Sequence, residues 1–310
     1  MTDLRVKQIY SIEQFEKYPS VLLIGMPGIA NVGKNISEYL ISHLKMKHYL
    51  EIIYADFPSK AIIIDDGVVN LPGAEVYHSL IDLTTDSVVL SSITDFISKH
   101  DSDPFGMKLK SLTKDKINLF VLTGEFQPRT NESTFEFCSK VCDMICEPNS
   151  FIKNTHLIIG LGAFVSEKFD EEIKIFVTST SKLDITRYSN VKLRKSAKEK
   201  IHKFEKGVIV QGTNILIPTL IQPQFNISSI ILIVNSVPIP MAKKDPVAIK
   251  ALLGYLDALL NLKLDYQEIE DDIKNFGINM QNLTSKKSTM KKTENNDNDK
   301  DIECNLSYIG

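Results

Sequence analysis

The sequence predicts an α/β protein of the three-layer α/β/α type, in which helices cover both faces of one sheet. Short apolar runs, at residues 21–24, 117–122 and 230–235, alternate along the chain with segments of helical periodicity. Each run is continuous rather than alternating, as in strands that are buried on both faces. The first run ends in a glycine turn that opens a helix, which adds a strand–turn–helix unit to the pattern.

Length and composition bound the rest of the prediction. A chain of 310 residues with 43% hydrophobic and 24% charged residues can bury a substantial core, and we expect one domain over residues 5–277. A net charge of −3 gives no indication of nucleic-acid binding. Apolar runs stay well below the ~18 residues of a membrane span. The four cysteines lack paired spacing, which favours a cytoplasmic location.

The first strand–turn–helix unit has two interpretations. Gly25, Pro27 and Gly28 make a tight turn after the strand, and residues 29–44 have helical periodicity. The free N–H groups of such a helix start attract a phosphate, or the helix simply packs tightly on the sheet. The segment from Gly28 to Lys34 fits G-x-x-x-x-G-K, but Asn35 stands where a P-loop carries Ser or Thr. We therefore favour the tight structural turn.

Strands and a hairpin are predicted next. Residues 49–55 and 60–64 are apolar runs of strand length. An Asp-Gly pair at residues 66–67 is a turn signal, and residues 68–71 return as the second strand of a hairpin.

The following segment is less regular. Residues 74–83 alternate loosely, and residues 87–90 form a short apolar run that we assign to a strand. A helix is predicted from about Ser92, and residues 99–113 form a polar insertion.

The buried strand at residues 117–122 leads into the segment from Glu125 to Pro128. In open parallel sheets, sites collect at the carboxyl ends of strands. Thr130 or Asn131 then caps a helix that runs to about residue 146. The residues expected to face inward are Phe135, Cys138, Val141, Cys142 and Ile145. Because no histidine and no Cys-x-x-Cys pair accompanies Cys138, Cys142 and Cys146, we expect small buried side chains there, and no metal.

The segment before the last strand is predicted from shorter signals. Residues 157–162 form a strand followed by a glycine turn, and residues 172–179 form another strand. Residues 192–203 are strongly basic, and we interpret them as a solvated helix because no aromatic run accompanies them.

The last strong helix spans residues 246–261. Pro246 stands near its first position, and Asp245 is the expected N-cap. Its apolar positions are too many for one stripe, so we expect burial on two sides, one of which another subunit could cover. A short helix follows at residues 265–276, with acidic residues at its start.

The tail changes character. Residues 283–301 are almost entirely polar and cannot form a core, so residues 278–310 are predicted to be a disordered tail. Leu306, Tyr308 and Ile309 then bring apolar and aromatic side chains back at its end, as in a docking peptide. A flexible tether of about twenty residues spans on the order of 25 Å. Several tails of one ring could therefore dock together and add their affinities.

Four segments, at residues 25–33, 122–128, 212–218 and 245–253, together resemble the proteasome assembly chaperone 2 family, and its archaeal members in particular. The positions that carry the resemblance are Gly25, Pro27, Gly28, Asn31, Gly33, Gly124, Glu125, Gln127, Gly212, Asn214, Pro218, Asp245 and Pro246. The resemblance implies an α/β/α fold similar to that of nucleoside phosphorylases and a homo-oligomeric ring. It also implies that the protein builds or caps the core proteasome without ATP, cofactor or catalysis.

The resemblance also implies how the tail binds. Family members end in a hydrophobic residue, a tyrosine and one final residue, which enter pockets between proteasome α-subunits. Here Tyr308 is third from the end and Ser307 precedes it, so the register differs from the family pattern. We expect Leu306, Tyr308, Ile309 and the carboxylate of Gly310 to make the contact.

Two other hypotheses stay open at this point. The first is a nucleotide- or nucleoside-binding enzyme, P-loop-like or ATP-grasp-like, that uses the turn from Gly28 to Lys34 with Glu125 as acid or base. The second is a structural oligomer with a partner unrelated to proteasomes. Under this structural hypothesis, and under that of a proteasome chaperone, we expect Glu125, Gln127 and Asn214 to hold the glycine turns by hydrogen bonds rather than to perform chemistry.

Overall fold

The structure, a computed structural model, describes residues 4–12, 17–58, 62–63, 69–83, 87–99, 115–146, 150–165, 172–193, 200–202, 204, 210–236 and 244–277. Two compact units divide the chain, one ending at Asp265 and the next beginning at Tyr266. The predicted docking residues of the tail, Leu306, Tyr308, Ile309 and Gly310, lie outside the described residues, as does nearly all of the polar insertion.

The strands of the first unit are β1 (Leu4–Gln8), β2 (Ser20–Ile24), β3 (Lys47–Tyr54), β4 (Ile62–Ile63), β5 (Val69–Asn70), β6 (Ala74–Asp82), β7 (Lys116–Gly124), β8 (Thr155–Val165), β9 (Lys174–Thr178), β10 (Lys200–His202) and β11 (Ser228–Ser236). Its helices are α1 (Val32–His43), α2 (Val88–Lys99), α3 (Asn131–Cys146), α4 (Lys182–Tyr188), α5 (Thr213–Phe225) and α6 (Pro246–Leu260). The second unit contains α7 (residues 267–277). None of the helices in the described ranges is long and apolar enough to cross a membrane.

Nine strands form one mixed sheet in the order β1-β3-β6-β7-β2-β8-β11-β9-β10. The four central strands, β7, β2, β8 and β11, are parallel, whereas β6, β3 and β1 continue the sheet in antiparallel fashion. Ile24 is in register with Leu122 of β7 and Gly160 of β8. The ends of β2 and β7 therefore lie at one edge of the sheet, which we call the carboxyl edge. The predicted hairpin is confirmed by the antiparallel pairing of β4 with β5.

Helices pack on both faces of this sheet. Leu22 and Ile24 of β2 belong to a core shared with α3 and α5, represented there by Phe137 and Ile217. Their neighbours on β2, such as Leu23, are equally buried but point to the opposite face, where α1 and α6 pack against each other and against the sheet. The predicted three-layer α/β/α fold is therefore confirmed.

The predicted strand at residues 87–90 is wrong, because these residues begin α2. The Ser87 hydroxyl accepts a hydrogen bond from the amide nitrogen of Leu90 at 3.4 Å, and Val89 and Ile93 are buried one helical turn apart. A run of four apolar residues is too short to distinguish a strand from a buried helical turn by periodicity.

The glycine turn predicted at the end of residues 157–162 is also wrong, because Gly160 and Gly162 lie inside β8. Parallel pairing with β11 continues through both glycines. A side chain at Gly160 would place Cβ 1.8 Å from the carbonyl oxygen of Asn214 in α5. The glycine is thus explained by the close approach of a helix to the strand rather than by a turn.

Two further predictions need correction. Phe135 is 52% exposed, since the inward stripe of α3 runs through Phe137, Val141 and Ile145 instead. The basic segment is not helical where the structure describes it, because Lys200–His202 pair with β9 as an edge strand. Charged side chains are a common feature of such edges.

The two helix starts are capped as predicted. The hydroxyl of Thr130 accepts from the amide nitrogen of Ser133 at 3.1 Å. A carboxylate oxygen of Asp245 accepts from the amide nitrogens of Val247 and Ala248, both at 3.1 Å. Eleven of the fifteen residues of α6 are buried, which confirms the predicted burial on more than one side.

Candidate functional site

Three of the four segments singled out in the sequence meet at the carboxyl edge. The first is the turn that leaves β2, the second follows β7, and the third begins α5. Side-chain amides join the three segments, and the residues that they connect are 86 or more positions apart in the sequence. The fourth segment starts α6, directly after β11 along the described chain.

Asn214 ties the first segment to the third. Its side-chain oxygen accepts a hydrogen bond from the main-chain nitrogen of Met26 at 2.8 Å, and its side-chain nitrogen donates one to the main-chain oxygen of Met26 at 2.9 Å. The same nitrogen donates to the carbonyl oxygen of Leu161 at 2.7 Å. These bonds lie in a buried region, where an unpaired amide would be costly. Asn214 therefore connects α5, β8 and the turn after β2.

Gln127 ties the second segment to the other two. Its amide nitrogen donates to the carbonyl oxygen of Pro27. Its carbonyl oxygen accepts from the amide nitrogen and the hydroxyl of Thr213, at 3.1 and 3.0 Å. Gly212 lies against this side chain with φ of +105°, a conformation that favours glycine. The start of α5 is thus positioned by Gln127.

The glycines of the first segment place α1 directly against the sheet. A Cβ at Gly25 would lie 2.1 Å from the hydroxyl oxygen of Ser37, and a Cβ at Gly33 would lie 2.8 Å from the carbonyl oxygen of Leu161. Gly28 differs, because a Cβ there would meet open space and its φ of −165° is extended. Asn31 has φ of +49°, a left-handed conformation that asparagine tolerates better than most residues.

Charged groups surround the turn. The ammonium of Lys34 donates to a carboxylate oxygen of Glu125 at 2.5 Å and lies 3.5 Å from a carboxylate oxygen of Glu38. A phosphate in this turn would need the Lys34 ammonium and free main-chain amides. Two carboxylates already neutralise the lysine, and the Met26 amide is bound to Asn214. This geometry favours the tight structural turn.

A cleft of about 400 Å³ opens beside these charges, between α1, the start of β6 and the end of β7. It is lined in part by Lys34, Glu38, Glu75, Tyr77 and Glu125. The hydroxyl of Tyr77 donates to a carboxylate oxygen of Glu75 at 2.7 Å. Burial, together with this hydrogen bond, raises the pKa of Tyr77, so the phenol stays protonated at neutral pH.

Comparison with known proteins identifies the relatives of the chain. The sequence profile of the PAC2 family matches residues 22–284, which is most of the chain. The chain belongs to the PAC2 family. The resemblance to the proteasome assembly chaperone 2 family, drawn above from four segments, is therefore confirmed.

Individual relatives of this PAC2 protein are distant in sequence but similar in fold. An uncharacterized protein of Methanocaldococcus jannaschii is 22% identical over 272 residues, which cover 87% of this chain and 84% of the relative. The crystal structure of Pyrococcus furiosus PbaB, an archaeal proteasome activator, has a TM-score of 0.69 and 20% identity, covering 92% of this chain and all of PbaB. Pyrococcus furiosus PbaA, an archaeal homolog of proteasome-assembly chaperone, has a TM-score of 0.60 and 12% identity, covering 94% and 96%.

The remaining motif residues of this PAC2 protein join neighbouring elements. Asp245 accepts from the hydroxyl of Ser236 at 2.9 Å, which fixes the start of α6 to the end of β11. The carbonyl oxygen of Pro218 accepts from the hydroxyl of Ser229 at 2.8 Å, which fixes α5 to the start of the same strand. A Cβ at Gly124 would lie 2.6 Å from the carbonyl oxygen of Gly73. The last residue of β7 is therefore in close contact with the residue that precedes β6.

One buried histidine of this PAC2 protein, His156, has a serine partner that the sequence pattern did not indicate. The hydroxyl of Ser92 lies 3.1 Å from the Nε2 atom of His156 and 3.1 Å from the Nη1 atom of Arg187. Ser92 is fully buried, so this Ser–His pair cannot meet a substrate. Burial and the nearby Arg187 lower the pKa of His156 to about 3, which keeps the imidazole neutral.

The cleft residues Glu75 and Tyr77 were also missed. The sequence signal was only the loose alternation of residues 74–83, which predicts a strand and says nothing about a cleft. Within the described ranges, no cluster of three or more His, Cys, Asp or Glu residues is placed to hold a metal ion.

Proposed function

We propose that this PAC2 protein is an oligomeric, ATP-independent chaperone or cap that binds the α-ring of the core proteasome or its assembly intermediates in the cytoplasm. The observation that carries the proposal is the likeness to PbaB over 92% of this chain and all of PbaB, since PbaB is described as an archaeal proteasome activator. The likeness to PbaA, described as a homolog of a proteasome-assembly chaperone, supports the same class of partner.

The geometry of the carboxyl edge supports a scaffold rather than an enzyme. Gln127 and Asn214 use their amides to bind main-chain groups of the turn after β2. The ammonium of Lys34 is already paired with the carboxylates of Glu38 and Glu125. Groups that are engaged in this way stabilise a fold, whereas catalysis needs a base or nucleophile directed at a substrate.

The tail is the proposed contact with the proteasome. Tyr308 offers a flat apolar body and a hydroxyl, and Leu306 and Ile309 add apolar surface beside it. The carboxylate of Gly310 can form a charge-assisted hydrogen bond to a lysine of the partner. We propose that copies of the protein form a homo-oligomeric ring, so that several weak tails bind together.

Native mass spectrometry tests the proposal. The full chain is measured alone and with purified archaeal-type core proteasome, next to a chain that lacks residues 304–310. Ser307→Ala is the matched control, because it keeps the apolar residues and the terminal carboxylate. We expect a complex with the full chain and the control, and a loss of about tenfold or more in affinity without the last residues.

Two results would contradict different parts of the proposal. Unchanged binding of the shortened chain would contradict the role of the tail alone. Absence of any complex would contradict the partner. Calorimetric titration with ATP and inosine tests the nucleotide-binding alternative, and saturable binding that Lys34→Ala abolishes would favour an enzyme that uses the turn from Gly28 to Lys34.

A further inference from the structure

Two glutamates lie directly opposite each other on neighbouring strands. Glu51 of β3 and Glu75 of β6 are cross-strand partners in the sheet, so their side chains leave the same face. Like charges in this position destabilise a sheet. The ammonium of Lys7 offsets Glu51 at 3.1 Å. Among the residues that the structure describes, no lysine or arginine forms an ion pair with Glu75.

The surroundings of Glu75 leave part of its carboxylate available. Its Oε2 atom accepts from the hydroxyl of Tyr77, and Oε1 has no partner in the described part of the chain. Among the lining residues that the structure describes, Glu75 is accompanied by two further carboxylates, Glu38 and Glu125, and by one cation, Lys34. These three carboxylates and one ammonium give the described lining a formal charge of −2. The charge of the cleft is therefore complementary to a cation.

The shape of the cleft indicates what carries that cation. Gly73 and Gly124 line the cleft and carry no side chains. A Cβ at Gly124 would lie only 2.6 Å from the carbonyl oxygen of Gly73, so there is no room for a side chain at this position. The apolar side chains of Ile41 and Leu71 also line the cleft, and Leu71 is 73% exposed. An apolar wall beside a carboxylate fits an aliphatic stem that ends in a positive charge.

We propose that this cleft docks a lysine or arginine side chain of a protein partner. The stem packs on Leu71 and Ile41, and the ammonium or guanidinium binds Oε1 of Glu75 in a charge-assisted contact. Tyr77 holds the other carboxylate oxygen and so orients the group. The site lies in the folded first unit and does not depend on the tail or on the identity of the partner, so it goes beyond the function proposed above.

In the test, the full chain is titrated with the peptide acetyl-Gly-Leu-Lys-Leu-Gly-amide. Binding is measured from the amide chemical shifts of residues in α1 and β6. A peptide with norleucine in place of lysine keeps the stem and removes the charge. We expect a Kd on the order of 1 mM for the lysine peptide, and about tenfold weaker binding of the norleucine peptide. Glu75→Gln should weaken the lysine peptide about tenfold, whereas Glu51→Gln, its cross-strand neighbour outside the cleft, should leave Kd within about twofold.

A second variant covers the case in which Glu75→Gln alters the fold. Leu71→Ser changes an exposed side chain and should weaken the lysine peptide about threefold through the lost stem contact. Equal binding of the lysine and norleucine peptides, or equal effects of Glu75→Gln and Glu51→Gln, would overturn the proposal. So would tighter binding of spermidine than of the peptide, which would assign the cleft to free polyamines. No proteasome is present, so failure here is distinct from failure of the proposed function.

Discussion

The side chain of Asn214 hydrogen bonds to both main-chain polar groups of Met26, which is 188 residues away in sequence. The side-chain amide thus replaces a strand partner at the point where β2 ends. A third bond, to the carbonyl oxygen of Leu161, adds β8 to the same contact. The turn after β2, strand β8 and the start of α5 are therefore held together by one buried side chain.

Replacement of Asn214 by alanine should be strongly destabilising. The change leaves two carbonyl oxygens and one amide nitrogen without partners in a buried region, and each buried unpaired group costs about 1–3 kcal/mol. We expect the free energy of unfolding, measured by urea denaturation, to fall by about 3 kcal/mol or more. Gln224→Ala, at an exposed position of the same helix, is the control and should change it by less than about 0.5 kcal/mol. Similar effects of the two variants would contradict this account.

Two glycines of β8 provide a matched pair. A Cβ at Gly160 would lie 1.8 Å from the main-chain oxygen of Asn214, whereas a Cβ at Gly162 would make ordinary contacts at 3.6 Å or more. Gly160→Ala should therefore lower the midpoint of thermal unfolding by about 5–10 degrees, as expected for a loss of ~2–3 kcal/mol, or prevent folding. Gly162→Ala should keep the midpoint within about two degrees. Equal midpoints would show that α5 does not approach the strand so closely.

The elements that the sequence predicted are those whose signals are local. Asp245 and Pro246 mark the start of α6, and the buried run of β2 is followed at once by Gly25. Helix α5 gave no such signal, because Pro218 and Pro223 lie inside it and proline usually ends a helix. Pro218 has no N–H to donate to the main-chain oxygen of Asn214, so this helical hydrogen bond is missing, and the oxygen lies against Gly160 of β8 instead. The helix is thus defined by tertiary contacts.

The candidate site divides in the same way. The motif residues Gln127 and Asn214 were identified by family resemblance, but the main-chain groups that they bind belong to segments 86 or more residues away. Glu75 and Tyr77 could not be identified, since a cleft exists only once β6 has paired with β7 and α1 has packed beside them. Pairing between strands that are distant along the chain leaves no pattern in a single sequence.

Stability should fall in mild acid because of two buried histidines. The pKa of His156 is lowered to about 3, and burial lowers the pKa of His78, which also accepts a 2.7 Å hydrogen bond from Tyr10 at Nδ1. A histidine whose pKa is lower in the folded state binds protons more readily when unfolded, so stability is complete above about pH 6.5 and decreases below it. The slope is about 1.4 kcal/mol per pH unit for each histidine that must stay neutral.

Urea denaturation at several pH values between about 7.5 and 4.5 measures this dependence. His156→Gln removes the titrating group and should flatten the slope by about one proton, whatever it does to stability at neutral pH. His43→Gln, on a half-exposed side chain in α1, is the control. An unchanged slope in His156→Gln would contradict the burial of a neutral imidazole at this position.

The opposed pair of Glu51 and Glu75 should make the free protein less stable than it could be. Glu75→Gln removes one of two like charges and keeps an acceptor for the hydroxyl of Tyr77, so it should raise the free energy of unfolding by about 0.2–1 kcal/mol. Glu51→Gln removes the same repulsion but also the ion pair with Lys7, so its net gain should be smaller. The double variant should be less stable than the sum of the single effects predicts, because the repulsion can be removed only once.

Salt should reduce the difference in stability between Glu75→Gln and the natural chain, since both carboxylates are partly solvated. A loss of stability in Glu75→Gln at low salt would mean that a cation within the chain already neutralises this carboxylate, and would remove the reason to expect one from a partner.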